Sequence, residues 1–141
     1  MKTFLPLAIV LVLSSGYGIW YRTSRGRIKG KSGAMALISS ADLDGASFGS
    51  RVTLLQFSSA FCSPCRATRA LLADITADMA DVVHIDLDAE GHLELVRRLD
   101  IRSTPTTLIL DGNQVEVGRA VGAPKRDQVI KAIAAVPAVH K

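Results

Sequence analysis

Apolar residues change their spacing several times along this chain, and each change predicts an element. Residues 4–21, FLPLAIVLVLSSGYGIWY, form a run of eighteen without a charge. A membrane-spanning helix needs about 20 mostly apolar residues, with a lower limit near 17. The run predicts such a helix, closed by Trp20 and Tyr21, whose amphipathic rings favour the interface. Residues 52–57, VTLLQF, are almost continuously apolar, the pattern of a strand covered on both faces. Leu71, Leu72, Ile75 and Met79 then recur at helical spacing and predict a helix over 64–78. Pro64 suits its first turn, where no backbone donor is missed. Residues 82–86, VVHID, predict a second strand. Residues 90–99 predict a second helix, with Leu93, Val96 and Leu99 on one face. TTLIL over 106–110 is a further strand. Asp111-Gly112-Asn113 is a hairpin turn, and 114–121 returns antiparallel until Gly122 breaks it. Pro124 opens a last helix through Ala135, with Val129, Ile130 and Ile133 inward. Upstream, MALIS over 35–39 predicts a short edge strand and 40–49 a helical turn. Strand–helix–strand crossovers imply parallel pairing and the hairpin adds antiparallel strands. The expectation is an α/β fold with a three-layer α/β/α arrangement and a mixed central sheet, preceded by a transmembrane helix.

Charge divides the chain. It has 141 residues, is 48% hydrophobic and carries a formal +4, a length that suits one domain with an appendage. Lys2, Arg22, Arg25, Arg27, Lys29 and Lys31 all fall in residues 1–33, which hold no acid, so the remainder is net −2. A mildly acidic body removes the main support for a nucleic-acid partner. Basic residues beside an apolar run mark a membrane surface instead. The chain thus reads as an anchor at 1–21, a basic, glycine-bearing flexible tether at 22–33 and a folded domain at 34–141. The positive-inside rule puts that domain on the cytoplasmic face of a single-pass membrane protein. The alternative is the extracytoplasmic face. A cleaved signal peptide competes with the anchor, with Lys2 as its n-region and Ser14, Ser15 and Gly16 near a cut.

The chain has two cysteines, both in SSAFCSPCRAT at 58–68. A two-residue gap closes too short a loop for a useful structural staple. Cys62 falls between a predicted strand and a predicted helix, where free N–H groups and the helix dipole favour a negative sulfur. Thiolate is the reactive form, which makes Cys62 the candidate nucleophile. Cys65, one turn on and facing inward, is the candidate resolving thiol. Pro64 stiffens the loop and Arg66 adds a nearby cation. Half of a zinc site is a rival reading, but zinc wants four ligands. No second CxxC is present and His84, His92 and His140 are scattered, each read as a surface or packing residue. Inert buried cysteines are the other rival.

The surrounding motifs carry a resemblance. QFSSAFCSPCRAT resembles the active-site strand, loop and helix of the thioredoxin family. STPTTLIL resembles the family's cis-proline loop and DGNQVEVGRAVGA its hairpin and closing glycine. The likeness covers residues 50–136, with a shortened region before it. It implies a thioredoxin-like fold and a thiol–disulfide oxidoreductase with no cofactor, the family's general type being a reductant while an oxidant or isomerase stays open. It implies a cis Thr104–Pro105 bond facing the cysteine pair, where position alone leaves a plain strand-start proline equally open. Gly122 resembles the substrate-groove glycine, although a strand terminator also explains it. Phe61, Ser63, Pro64, Thr104, Pro105 and Gly122 are thus the implied substrate-contacting set around the catalytic Cys62 and Cys65. Partners would be protein disulfides and a reductase or membrane electron donor, with the membrane engaged through 4–21 and the chain monomeric.

Departures from the family matter. Phe61 stands in place of the usual Trp and Ser63 in place of the usual Gly. Gln56 replaces a buried acid thought to take the resolving cysteine's proton, and Val82 is read as replacing a nearby Lys. Gln56 and Arg66 are therefore expected to modulate the site. A non-catalytic binding module and a thiolate carrier of copper or zinc are the competing functions.

Overall fold

The computed structural model describes residues 4–24, 28–30 and 38–138. Strand β2, Val52–Ser58, is buried at every position. It lies between two neighbours, with β3 (Val82–Asp88) parallel on one side and β4 (Thr106–Asp111) antiparallel on the other. Both faces of β2 are also covered, so its nearly unbroken apolar run follows from burial rather than from alternation. The hairpin partner β5 (Glu116–Val121) extends the sheet, and β1 (Ile28–Gly30) closes the order β1-β5-β4-β2-β3. The sheet is mixed, as expected.

Helices α2 (Ser63–Thr76) and α4 (Arg126–Ala135) share one face of the sheet. Their Leu72, Ile75, Val129 and Ile133 pack with Val52, Leu54, Val82 and Ile109. Helix α3 (Leu93–Arg98) covers the other face, where Leu95 and Leu99 join Leu55, Phe57, Ile85, Leu108 and Leu110. A 3-10 turn, Ser40–Leu43, adds Leu43 to that second cluster. β2 therefore alternates between the two cores, and Gln56 falls in the series Val52, Leu54, Gln56 that faces α2.

One topological expectation fails. The second strand–helix–strand segment does not make a parallel pair, because β4 runs antiparallel to β2. Helix length explains the difference. α2 has 14 residues, about 21 Å at 1.5 Å per residue, which matches a strand of about 23 Å and returns the chain to its start. α3 has 6 residues, about 9 Å, and leaves the chain at the far end of the sheet. Asp100, in the left-handed region at φ 53°, terminates α3, and Ile101 N–H donates to Val96 C=O at 2.8 Å in a Schellman closure.

Three other expectations need restating. Within the stretch read as flexible tether, Ile28–Gly30 pairs with Gly118–Ala120 as an antiparallel strand, covering a β5 edge whose backbone groups would otherwise lie open. Of the MALIS segment, 35–37 lie outside the described residues. Ile38 and Ser39 are not strand, Ile38 being buried in the core and Ser39 accepting the role of cap to the 3-10 turn. The 4–21 run is helical, within α1 (Phe4–Ser24), and its apolar side chains from Leu7 to Trp20 are exposed. Yet among the described residues no helix is long and apolar enough to cross a membrane.

Phe57 is the largest fully buried side chain, at 0% exposure. Phe57→Ala is expected to cost about 3–5 kcal/mol, from lost burial plus the cavity left behind. Urea unfolding checks this, through a lower midpoint at an unchanged slope.

Candidate active site

β2 ends at Ser58 and the chain turns through Ser59, Ala60 and Phe61 into α2. Cys62 is the N-cap of α2, in an extended conformation (φ −97°, ψ 99°), and its Sγ accepts from Cys65 N–H at 3.2 Å. Pro64 sits in the first turn. The helix thus begins with its free donors around the Cys62 sulfur. Cys62 and Cys65 form a disulfide with Cα atoms 5.2 Å apart. Their environments differ. Cys65 is 1% exposed, whereas Cys62 is half-buried and flanked by the exposed Phe61, Ser63 and Pro64. One sulfur can meet a large partner and the other can act only from behind it.

A second loop closes on this one. The Thr104–Pro105 bond is cis. Thr104 Oγ1 lies 3.1 Å from Ser59 Oγ, which joins the loop to the cysteine-bearing turn. Pro105 C=O accepts from Gly122 N–H at 2.8 Å, and Gly122 adopts φ 91°, where a side chain would be strained. The structure therefore brings Thr104, Pro105 and Gly122 up to the Cys62 loop. Arg66 is exposed and lines a cleft of about 310 Å³ together with Cys65, Ser58 and Ser59.

Beneath Cys65 the polar chemistry is richer than the sequence suggested. Gln56 is fully buried. Its Nε2 donates to Cys65 C=O and to Ser58 Oγ, each at 2.9 Å. Its Oε1 lies 3.1 Å from His84 Nε2, which assigns that imidazole nitrogen the proton. Ser58 Oγ–H in turn donates to Asp86 Oδ1 at 2.5 Å, and Arg69 pairs with Asp86 Oδ2 at 2.5 Å. Val82, read as the neighbour of Gln56, is instead registered against Val52, in the apolar part of the same face. His84 occupies the place expected for it. Ser58, His84, Asp86 and Arg69 were missed, although a signal existed. Side chains repeat every second residue in a strand, so Gln56 and Ser58 share a face of β2, and His84 and Asp86 share a face of the parallel β3. Among the described residues, no group of three or more His, Cys, Asp or Glu could hold a metal ion.

Comparison with known proteins supplies the family. A model described as "Thioredoxin" matches residues 44–135. Thioredoxin H5 of Oryza sativa subsp. japonica is 32% identical over 77 residues, covering 55% of this chain and 56% of that protein. The chain thus spans little more than half of that relative's length. A thioredoxin of Chlamydia muridarum (strain MoPn / Nigg) is 29% identical over 100 residues, covering 70% of this chain and 96% of that protein. Among solved structures, the short form of thioredoxin f from spinach chloroplast superposes with a TM-score of 0.55 at 33% identity, covering 62% of this chain and 77% of that one.

Burial holds the His84 pKa below its ordinary 6.5. Asp86 opposes the shift and Arg69 adds to it. The fold favours the neutral imidazole, so its contribution to stability is complete above pH 6.5 and is lost as pH falls towards the depressed value. His92 acts oppositely. Its pKa is raised, first by the Asp88 carbonyl and then, against some desolvation, by Asp44, so its contribution is present below 6.5 and lost as pH rises. The difference between wild type and His84→Gln isolates the first effect. Thermal unfolding between about pH 7 and pH 5 should show a shallower acid-side fall in Tm for His84→Gln.

Proposed function

Since the chain belongs to the thioredoxin family, we propose that it is a thiol–disulfide oxidoreductase acting as a protein disulfide reductase. The observation that carries this is the pairing of a half-exposed Cys62 at a helix N-terminus with a buried Cys65 in one disulfide, beside the cis Thr104–Pro105 loop. In the reduced protein, Cys62 thiolate attacks a substrate disulfide, forms a mixed disulfide and releases one substrate thiolate. Cys65, deprotonated, then attacks Cys62 Sγ. The bond to substrate breaks, its electron pair leaves on the second substrate sulfur, and the Cys62–Cys65 disulfide forms. Two electrons pass to the substrate, and a reductase or a membrane electron donor restores the dithiol. Phe61, at 101% exposure, supplies an apolar contact beside the attacking sulfur. Pro105 and Gly122 border the strip where an extended substrate would lie.

The finer reading concerns place. The described side chains of α1 from Leu7 to Leu13 are apolar on every side of the helix, and Leu7 and residues 9–13 are exposed; a helix stretch apolar all round needs an apolar surround. We assign that surround to a bilayer, with Phe4 and Leu5 completing the run and Arg22, Arg25 and Arg27 holding the body on the cytoplasmic face. Carbonate-washed membranes are expected to retain the full chain, and an impermeant thiol reagent applied to intact cells is expected to spare its reduced cysteines. Full-length protein in the soluble fraction would reject the anchor.

For the reaction, full-length protein equilibrated in graded dithiothreitol buffers should show one reversible two-electron transition by thiol alkylation. Cys62→Ser should abolish insulin reduction, and Cys65→Ser should trap a mixed disulfide through Cys62. Full cellular function in the double variant would favour a binding module. Gln56 cannot accept a proton, so Gln56→Asp is expected to speed resolution by about tenfold, less than the roughly 100-fold at which positioned acid–base groups begin, because Asp at 56 would also lose the amide's bonds to Cys65 and Ser58. An unchanged turnover with a small disulfide would remove the idea that this site is slow.

A further inference from the structure

Resolution of a mixed disulfide requires that Cys65 lose a proton, and Cys65 is 1% exposed. Gln56, the side chain packed beneath it, is a neutral amide whose donors are spent on Cys65 C=O and Ser58 Oγ. It offers no basic site. The proton must leave by another route, and one opens beside it. The cleft of about 310 Å³ lined by Cys65 is also lined by Asp86, Ser58 and Arg69. It is large enough for water to bridge a thiol and a carboxylate. The Asp86 carboxylate is held in one orientation, with Oδ1 accepting from Ser58 and Oδ2 paired with Arg69.

We propose that Asp86 is the proton acceptor for Cys65, reached through water in this cleft, in place of the buried acid that Gln56 has displaced. The inference rests on the oxidoreductase reading above. The step balances. Cys65 S–H passes its proton through water to the Asp86 carboxylate. The Cys65 sulfur bonds to Cys62 Sγ as the Cys62–substrate bond breaks, and the substrate sulfur leaves with the electron pair and is protonated from Asp86 or solvent. Ser58 and Arg69 are positioning residues.

The charged groups around Asp86 are named readily. Arg66 and Arg69 come from α2, and His84 and Asp88 flank it on β3, while β2 contributes the neutral Ser58 and Gln56. His84 does not line the cleft, and its Nε2 is turned to Gln56. Asp88 does line it, but its Oδ1 accepts from Glu90 N–H at 3.1 Å.

Stopped-flow reaction of the reduced full-length protein with Ellman's reagent separates the steps. One chromophore is released when Cys62 forms the mixed disulfide, and the second when Cys65 resolves it. Asp86→Asn is expected to slow the second phase about 100-fold, the low end of general-base catalysis. It should also erase the acid-side fall of that phase with pH, leave the first phase in place as proof of a folded site, and be rescued by Asp86→Glu. Asp88→Asn should change neither phase. A wild-type second phase and pH profile in Asp86→Asn would overturn the inference and leave the oxidoreductase reading standing. So would an acid-side fall that survives in Asp86→Asn and vanishes in His84→Gln. Absence of the first phase in the wild-type protein would overturn both readings. Should Asp86→Asn fail to fold, Ser58→Ala carries the test. It must slow the second phase alone, and an unaltered second phase would count against the proposal.

Discussion

The junction between β2 and α2 is the constraint on which the site depends. β2 is buried along its whole length and cannot shift without moving both cores. A one-residue slip would carry Leu54 and Gln56 to the face now held by Leu55 and Phe57. With the strand fixed, the turn through Ser59–Phe61 has one place to deliver the chain, and Cys62 arrives as the cap of α2. Helical spacing then sends Cys65 back towards the sheet, directly over Gln56. The asymmetry between the two sulfurs is therefore a property of the strand–helix crossover. Its origin lies in the apolar series Leu54, Leu72, Ile75 and Ile109 that clamps α2 onto the sheet.

A buried amide under the disulfide sets a different kind of limit. Leaving one of its groups unpaired would cost about 1–3 kcal/mol, and here both ends of Gln56 are bonded, to Cys65, Ser58 and His84. The arrangement avoids a buried charge beside the sulfur and leaves the Asp86 carboxylate at the cleft wall. There Arg69 offsets its charge. Such a network is unforgiving, because each member satisfies the next. Its directionality, from His84 through Gln56 and Ser58 to Asp86, places the one strong acceptor at the solvent end.

Much of this was legible in the sequence where a single local rule governs. The strand at 52–57, the helix at the cysteines and the hairpin after Asp111 each announce themselves through periodicity or turn chemistry. The turn itself differs in detail, since Gln114 is the residue in the left-handed region, at φ 65°. Cys62, Cys65, Pro105 and Gly122 were legible from their motifs, and the structure places them together. What failed required knowing how elements meet. The antiparallel β4 follows from the length of α3, which the apolar pattern overstated at 90–99 because Leu99 is a core residue that caps the helix from outside it. His84 was read as ordinary packing because its importance depends on the β2–β3 register, which sets Leu54 beside it and Gln56 beside Asp86. Val82 was chosen for the same reason, by distance along the chain rather than across the sheet.

The added strand β1 ties the anchor question to the site. Ile28 is registered opposite Ala120, and β5 ends one residue later at Val121, with Gly122 bonded to Pro105 beyond it. The pairing therefore clamps the N-terminal segment to the sheet within two residues of the substrate-side glycine. Only three residues separate α1 from β1, and a chain cannot span more than about 3.6 Å per residue. A body held to α1 in a bilayer would then have its β5 edge close to the membrane surface instead of swinging on a long linker. A short tether raises the effective concentration of partners at that surface and excludes those that cannot approach it. Under the proposed anchoring, the same three-residue pairing that hides an open sheet edge would restrict which disulfides reach Cys62.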